Sequence, residues 1–174
     1  QSSDQVRLRA GISYYKGNSF NEAVQELQRV RSRVPAVSGE ASYYLAMAQL
    51  SLENEDAALA TLGVLRRLSP ESSLVADLLY SFGRFYEKRE RFALTQQRFT
   101  EIVTRFQRSD KADEAHFWLG WHAHLAGDYS RAARILTEHL ARYGERTENR
   151  GRAGFWAAVD HERSGNRARA LTLY

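Results

Sequence analysis

The feature of this sequence that most constrains its fold is an internal repeat. Units open at about Asp4, Gly39, Ala76, Asp113 and Gly151, spaced by 35, 37, 37 and 38 residues. The first unit places Gly11, Tyr14, Phe20, Ala23, Leu27, Val30 and Pro35 around a Gly17-Asn18 turn. The second repeats the frame with Leu45, Ala46, Ala58, Leu62, Leu65 and Pro70, although its turn (Glu53, Asn54, Glu55) lacks glycine. The third supplies Phe82, Gly83, Tyr86, Phe92, Phe99 and Ile102, with Thr95 where the other units have alanine. The fourth gives Leu119, Gly120, Gly127, Tyr129, Ala132 and Leu136, and the fifth Ala157, Ala158, Gly165 and Ala170. A period of this length accommodates one supersecondary unit, whose apolar face is buried by its neighbours rather than by itself.

Helical periodicity identifies the unit. Leu74, Leu78, Phe82, Phe85 and Tyr86 recur at three- and four-residue intervals, as do Phe92, Phe99, Ile102, Val103 and Phe106. Turn signals fall inside the first, fourth and fifth units at Gly17-Asn18, Gly127-Asp128 and Gly165-Asn166. Ser69-Pro70 and Ser109-Asp110 punctuate the links, where serine or aspartate can cap the next helix. No strand-like alternation occurs.

Small residues where helices cross, aromatics in the gaps and proline near the unit's end together resemble the tetratricopeptide-repeat superfamily over essentially the whole chain. That resemblance implies an all-α fold, a right-handed superhelical solenoid of antiparallel helix hairpins with about ten helices. Residues 1–174 then form a single solenoid whose fifth unit is cut in its second helix. Residues beyond the usual ~34 are expected to lengthen helices or loosen links. The apolar ending Leu171, Thr172, Leu173, Tyr174 is expected to be covered by further helices, another domain or a partner.

Composition narrows the function classes. The chain carries 25 basic and 21 acidic residues, a net charge of +4, without the basic lobe that a nucleic-acid footprint requires. Only Lys16, Lys88 and Lys111 are lysines; heavy arginine use mostly reflects a GC-rich genome, with the better forked hydrogen bonds that arginine makes to carboxylates as the second reading. The absence of cysteine excludes disulfides, thiolate metal sites and thiol nucleophiles. The longest uncharged apolar run, near residues 41–52, falls short of the ~18 residues of a membrane span.

The remaining polar residues carry no catalytic or metal signature. His122 and His124, two residues apart, point away from each other on a helix, and His116 lies two turns from His124. His139 reads as a packing histidine. No phosphate loop or nucleophile elbow occurs. No catalytic residue, metal site or cofactor is expected, and the segment is read as non-enzymatic.

In such a stack the first helices line the concave side. The expected groove residues are Tyr43, Tyr80, Arg84, Lys88, Phe117, Trp121, His124 and Phe155, an aromatic ladder interrupted by polar groups. Aromatic ladders suit extended peptides, apolar helix faces and sugar rings. A second reading stands beside it: longer repeats rotate the register, which would turn Tyr43, Tyr80 and Phe155 into core.

Phe117-Trp118-Leu119-Gly120-Trp121, Gly127-Asp128-Tyr129, Phe155-Trp156-Ala157-Ala158 and Glu162-Arg163-Ser164-Gly165-Asn166 resemble the helical superhelix of bacterial soluble lytic murein transglycosylases. In that family such hairpins precede a lysozyme-like domain in the periplasm. Glu71-Ser72 lacks the surroundings of that family's catalytic Glu-Ser pair, so catalysis does not carry over. Arg105-Phe106-Gln107-Arg108-Ser109-Asp110 and Ala141-Arg142-Tyr143-Gly144 are similar to links in adaptors of outer-membrane assembly and cell division. These resemblances imply a scaffold of the bacterial envelope, periplasmic, holding a protein or peptide segment or peptidoglycan. The alternative is a cytoplasmic adaptor that binds a peptide segment.

Overall fold

The computed structural model describes residues 3–173. Among them are ten helices: α1 (Ser3–Lys16), α2 (Phe20–Leu27), α3 (Pro35–Ser51), α4 (Glu55–Leu68), α5 (Ser73–Glu87), α6 (Phe92–Arg105), α7 (Asp110–Leu125), α8 (Tyr129–Tyr143), α9 (Arg150–Arg163) and α10 (Arg167–Leu171). They fall into two compact units, residues 3–85 and 86–173, the boundary lying within α5.

One turn recurs five times. Asn18, Glu53, Glu90, Gly127 and Gly165 all adopt a positive φ, between 57° and 86°. In each case the next residue's N–H reaches back to the carbonyl five residues earlier, as in Ser19 to Tyr14 and Asp128 to Ala123. This left-handed C-terminal motif satisfies carbonyls that a helix end leaves open. These residues are 35, 37, 37 and 38 positions apart, the spacing of the sequence units. The residue after each is the N-cap of the following helix. Asn54, Asp128 and Asn166 accept hydrogen bonds from the N–H groups of Ala57, Arg131 and Arg169. In the first unit Asn18, not Gly17, takes the left-handed conformation.

First helices open at Ser3, Pro35, Ser73, Asp110 and Arg150, one to four residues ahead of the unit starts. Pro35 opens α3, where its missing N–H costs nothing. Ser109 caps α7 through the Lys111 N–H, while Ser72 rather than Ser69 accepts from the start of α5, at Leu74 N–H. The residues added to the period lengthen first helices, to 17 residues in α3 and 16 in α7.

In the first unit α1 packs on α2, α3 on α4, and α3 also on α1 and α2. Its core gathers Leu8, Ala23, Leu27, Ala41 and Ala48, flanked by Ile12, Tyr15, Phe20 and Tyr44. In the second unit each helix from α6 to α10 packs on the next. Phe117, Leu136, Ala153 and Ala157 form a core there, flanked by Trp118, Trp121, Leu140, Trp156 and Leu173. Glycine sets the helix approach: a Cβ on Gly120 would lie 2.6 Å from Cδ2 of Leu136, and Gly11 is pressed against Leu27 in the same way. No helix among the described residues is long and apolar enough to cross a membrane.

Candidate functional site: an aromatic and histidine face on α7 and α9

The expected groove residues divide by burial. In the first unit Tyr43 on α3 is half-buried, its ring edge-on to Tyr44 at 5.1 Å. Burial, with Asp77 adding repulsion, pushes its hydroxyl pKa up to about 12. Tyr80 and Arg84, on α5, are also half-buried. In the second unit Lys88 is exposed just past the end of α5.

Phe117 does not line a groove. It is 1% exposed, packed with Leu136, Ala153 and Ala157, and the Arg152 guanidinium covers its ring at 4.8 Å. The physical reason is α9, whose N-terminal half lies over that side of α7.

The other three residues come together. Trp121 is half-buried and stacks on His124, with ring centroids 5.0 Å apart and planes at 14°. Trp156 of α9 closes on both, 5.0 Å from Trp121 and 4.5 Å from His124. Phe155, 52% exposed, extends the cluster to solvent through its edge contact with Trp156 at 5.1 Å. Tyr129 at the start of α8 stands 5.8 Å from His124 and carries the Arg163 guanidinium over its face at 4.9 Å.

Beneath the rings lies Asp160. Its carboxylate is fully buried, and its Oδ1 accepts from His124 Nδ1 at 2.7 Å. Burial pushes the Asp160 carboxyl above the usual carboxylate range, and the His124 contact pulls the other way. The bond fixes the ring's orientation and leaves Nε2 as its second polar atom. It also ties α7 to α9 in the middle of an aromatic cluster.

The remaining histidines of α7 take different partners, as their spacing requires. His122 Nε2 meets Glu87 Oε1 at 2.8 Å, between the rings of Phe92 and Phe99. His116 packs near His139 and Tyr143. Burial, then His139 and Arg142, lowers the His116 pKa to about 4. His139 is fully buried, with Nε2 3.4 Å from Asp113 Oδ1, and burial lowers its pKa as well. Asp113 in turn accepts from Thr147 Oγ1 at 2.7 Å.

Sequence reading overlooked two members of the face. Trp156 was visible as the residue beside Phe155, and Asp160 as an acid set one helical turn beyond Trp156 in an alanine-rich stretch. Neither signal identifies a partner, because His124 and Asp160 are 36 residues apart.

The profile of the tetratricopeptide repeat matches residues 8–73 and 77–146. The chain belongs to this family. Solved structures agree with its fold. MamA AMB-1 is 19% identical, with a TM-score of 0.64 over 98% of this chain and 87% of MamA. BtubC (BKLC) from P. vanneervenii is 18% identical, with a TM-score of 0.65 over 92% of this chain and 70% of BtubC. MamA MSR-1 is 22% identical, with a TM-score of 0.57 over 97% and 91%. At these identities the likeness concerns the fold. No curated protein sequence matches the chain.

Proposed function

We propose that this tetratricopeptide-repeat chain is a non-catalytic binding module of the bacterial envelope, acting in the periplasm. In its sharper form it is the helical part of a lytic transglycosylase, holding a peptidoglycan strand for a catalytic neighbour. The observation that carries this reading is the α7–α9 face, where Phe155, Trp156 and Trp121 offer adjoining rings around an oriented imidazole. Ring faces of this kind pair an apolar body with nearby polar groups, the combination that a sugar or an extended peptide requires. The same residues carry the transglycosylase resemblance, since Phe155-Trp156 and Trp118-Leu119-Gly120-Trp121 are among its motifs. Tyr43, Tyr80, Arg84 and Lys88 are proposed as further binding positions on first helices and their ends.

Sedimentation with purified peptidoglycan tests the proposal. The chain should be retained, and Phe155→Ala should weaken retention while leaving the melting temperature nearly unchanged, because the ring is half in solvent. Absence of retention would favour the other reading, an adaptor of outer-membrane assembly, cell division or the cytoplasm that binds a peptide segment.

A further inference from the structure

His124 is turned differently from its neighbours. His122 and His161 use Nε2 within the fold, on Glu87 Oε1 at 2.8 Å and on Thr137 Oγ1 at 3.0 Å. The Nδ1 atoms of His116, His122 and His139 have no hydrogen-bond partner and are sealed from solvent. His124 instead gives Nδ1 to Asp160, and no described residue bonds its Nε2. Its side chain keeps 10% of its surface open. The stacked ring of Trp121 and the tilted rings of Trp156 and Tyr129 hold the imidazole plane. Nε2 therefore has one direction, on the far side of the ring from the Asp160 bond.

Asp160 determines what Nε2 can do. An ionised carboxylate only accepts hydrogen bonds, so this contact requires the hydrogen on Nδ1. In a neutral imidazole Nε2 is then a bare acceptor. Asp160 makes no second hydrogen bond, since its Oδ2 is buried without a partner. Nothing among the described residues competes with His124 for the carboxylate.

We infer that His124 Nε2 is the hydrogen-bond acceptor of the α7–α9 face, receiving an O–H or N–H of a neutral ligand group, and that Asp160 is the positioning residue that keeps it an acceptor. The inference rests on the reading of that face as a binding site. It disfavours a carboxylate or phosphate at this point, where an acceptor lies above a buried negative charge. A sugar hydroxyl and a peptide amide both qualify, because each places a donor beside an apolar surface that a ring can cover.

Nuclear magnetic resonance of the unmodified chain tests the first half. Near pH 8, above the ordinary histidine range, long-range proton–nitrogen spectra should place the His124 hydrogen on Nδ1. A hydrogen on Nε2 would overturn the inference, whatever the chain binds. Peptide-free glycan strands and released stem peptides are then titrated separately. One of them should move the His124 Nε2 resonance and leave that of His122 in place, which identifies the donor as hydroxyl or amide. Asp160→Leu removes the acceptor that holds the hydrogen on Nδ1, so the hydrogen should shift towards Nε2. Retention on peptidoglycan should fall roughly tenfold, the value of one hydrogen bond lost to a mismatched group. Full retention in a folded Asp160→Leu, or ligand binding that leaves His124 Nε2 unmoved, sinks the inference and leaves the binding site standing. No retention of the unmodified chain, with no resonance of the face moved by either ligand, removes the binding site and the inference together. The spectra of the unmodified chain decide the matter even if Asp160→Leu fails to fold.

Discussion

The imidazole of His124 and the carboxylate of Asp160 meet at 2.7 Å, joining α7 to α9 where Asp160 has no solvent exposure. Removing the imidazole leaves a buried carboxylate without that partner, which is costlier than the bond itself is worth. His124→Ala is expected to lose about 3 kcal/mol at pH 7 in urea unfolding. The loss should shrink as the pH falls. Without His124 the folded carboxyl titrates higher still, so the stability it permits is present at acid pH and lost as the pH rises through its folded value.

The neutral pair His116 and His139 gives the wild type a different acid response. Both have lowered pKa values in the fold, His116 at about 4 against an ordinary 6.5. Depressed groups stabilise fully above their unfolded pKa, and that contribution is lost as the pH falls through the folded value. Stability should therefore decline between pH 6.5 and 4, with His116 alone accounting for up to about 3 kcal/mol. His116→Phe should flatten that slope by about one proton taken up on unfolding, read from melts across this range.

Two glycines on neighbouring helices predict opposite results. Gly120→Ala drives a methyl into fully buried Leu136, at a cost of about 1–3 kcal/mol that outweighs the gain in helix propensity. Gly154→Ala meets open space and should raise stability by up to about 1 kcal/mol. Thermal melts of the two variants should move in opposite directions.

The left-handed residue of the α5–α6 turn is a glutamate. Glu90, with φ of 57°, bears a strain that glycine at Gly127 and Gly165 avoids. Glu90→Gly should stabilise by about 0.5–1 kcal/mol, the strain relieved exceeding the extra freedom of the unfolded chain. Chemical denaturation reads the change as a higher midpoint at constant slope.

Local chemistry in the sequence determined the repeat. Small residues at helix crossings, a turn in each unit and helical periodicity are short-range properties, and the structure reproduces their 35- to 38-residue spacing at all five left-handed turns. The pattern even survives in turns without glycine, because the flanking helices oblige Glu53 and Glu90 to adopt the conformation. What each face does was decided by tertiary structure. Phe117 and Trp121 sit one helical turn apart on α7, yet one is core and the other half-open. Leu136 of α8 and Ala153 and Ala157 of α9 enclose Phe117 and leave Trp121 at the edge of the cluster. The same helix, α9, brings Asp160 beneath His124, while Glu87 claims His122. Helical geometry sends two histidines two residues apart in different directions, but only the packed neighbours supply the carboxylate that each one meets.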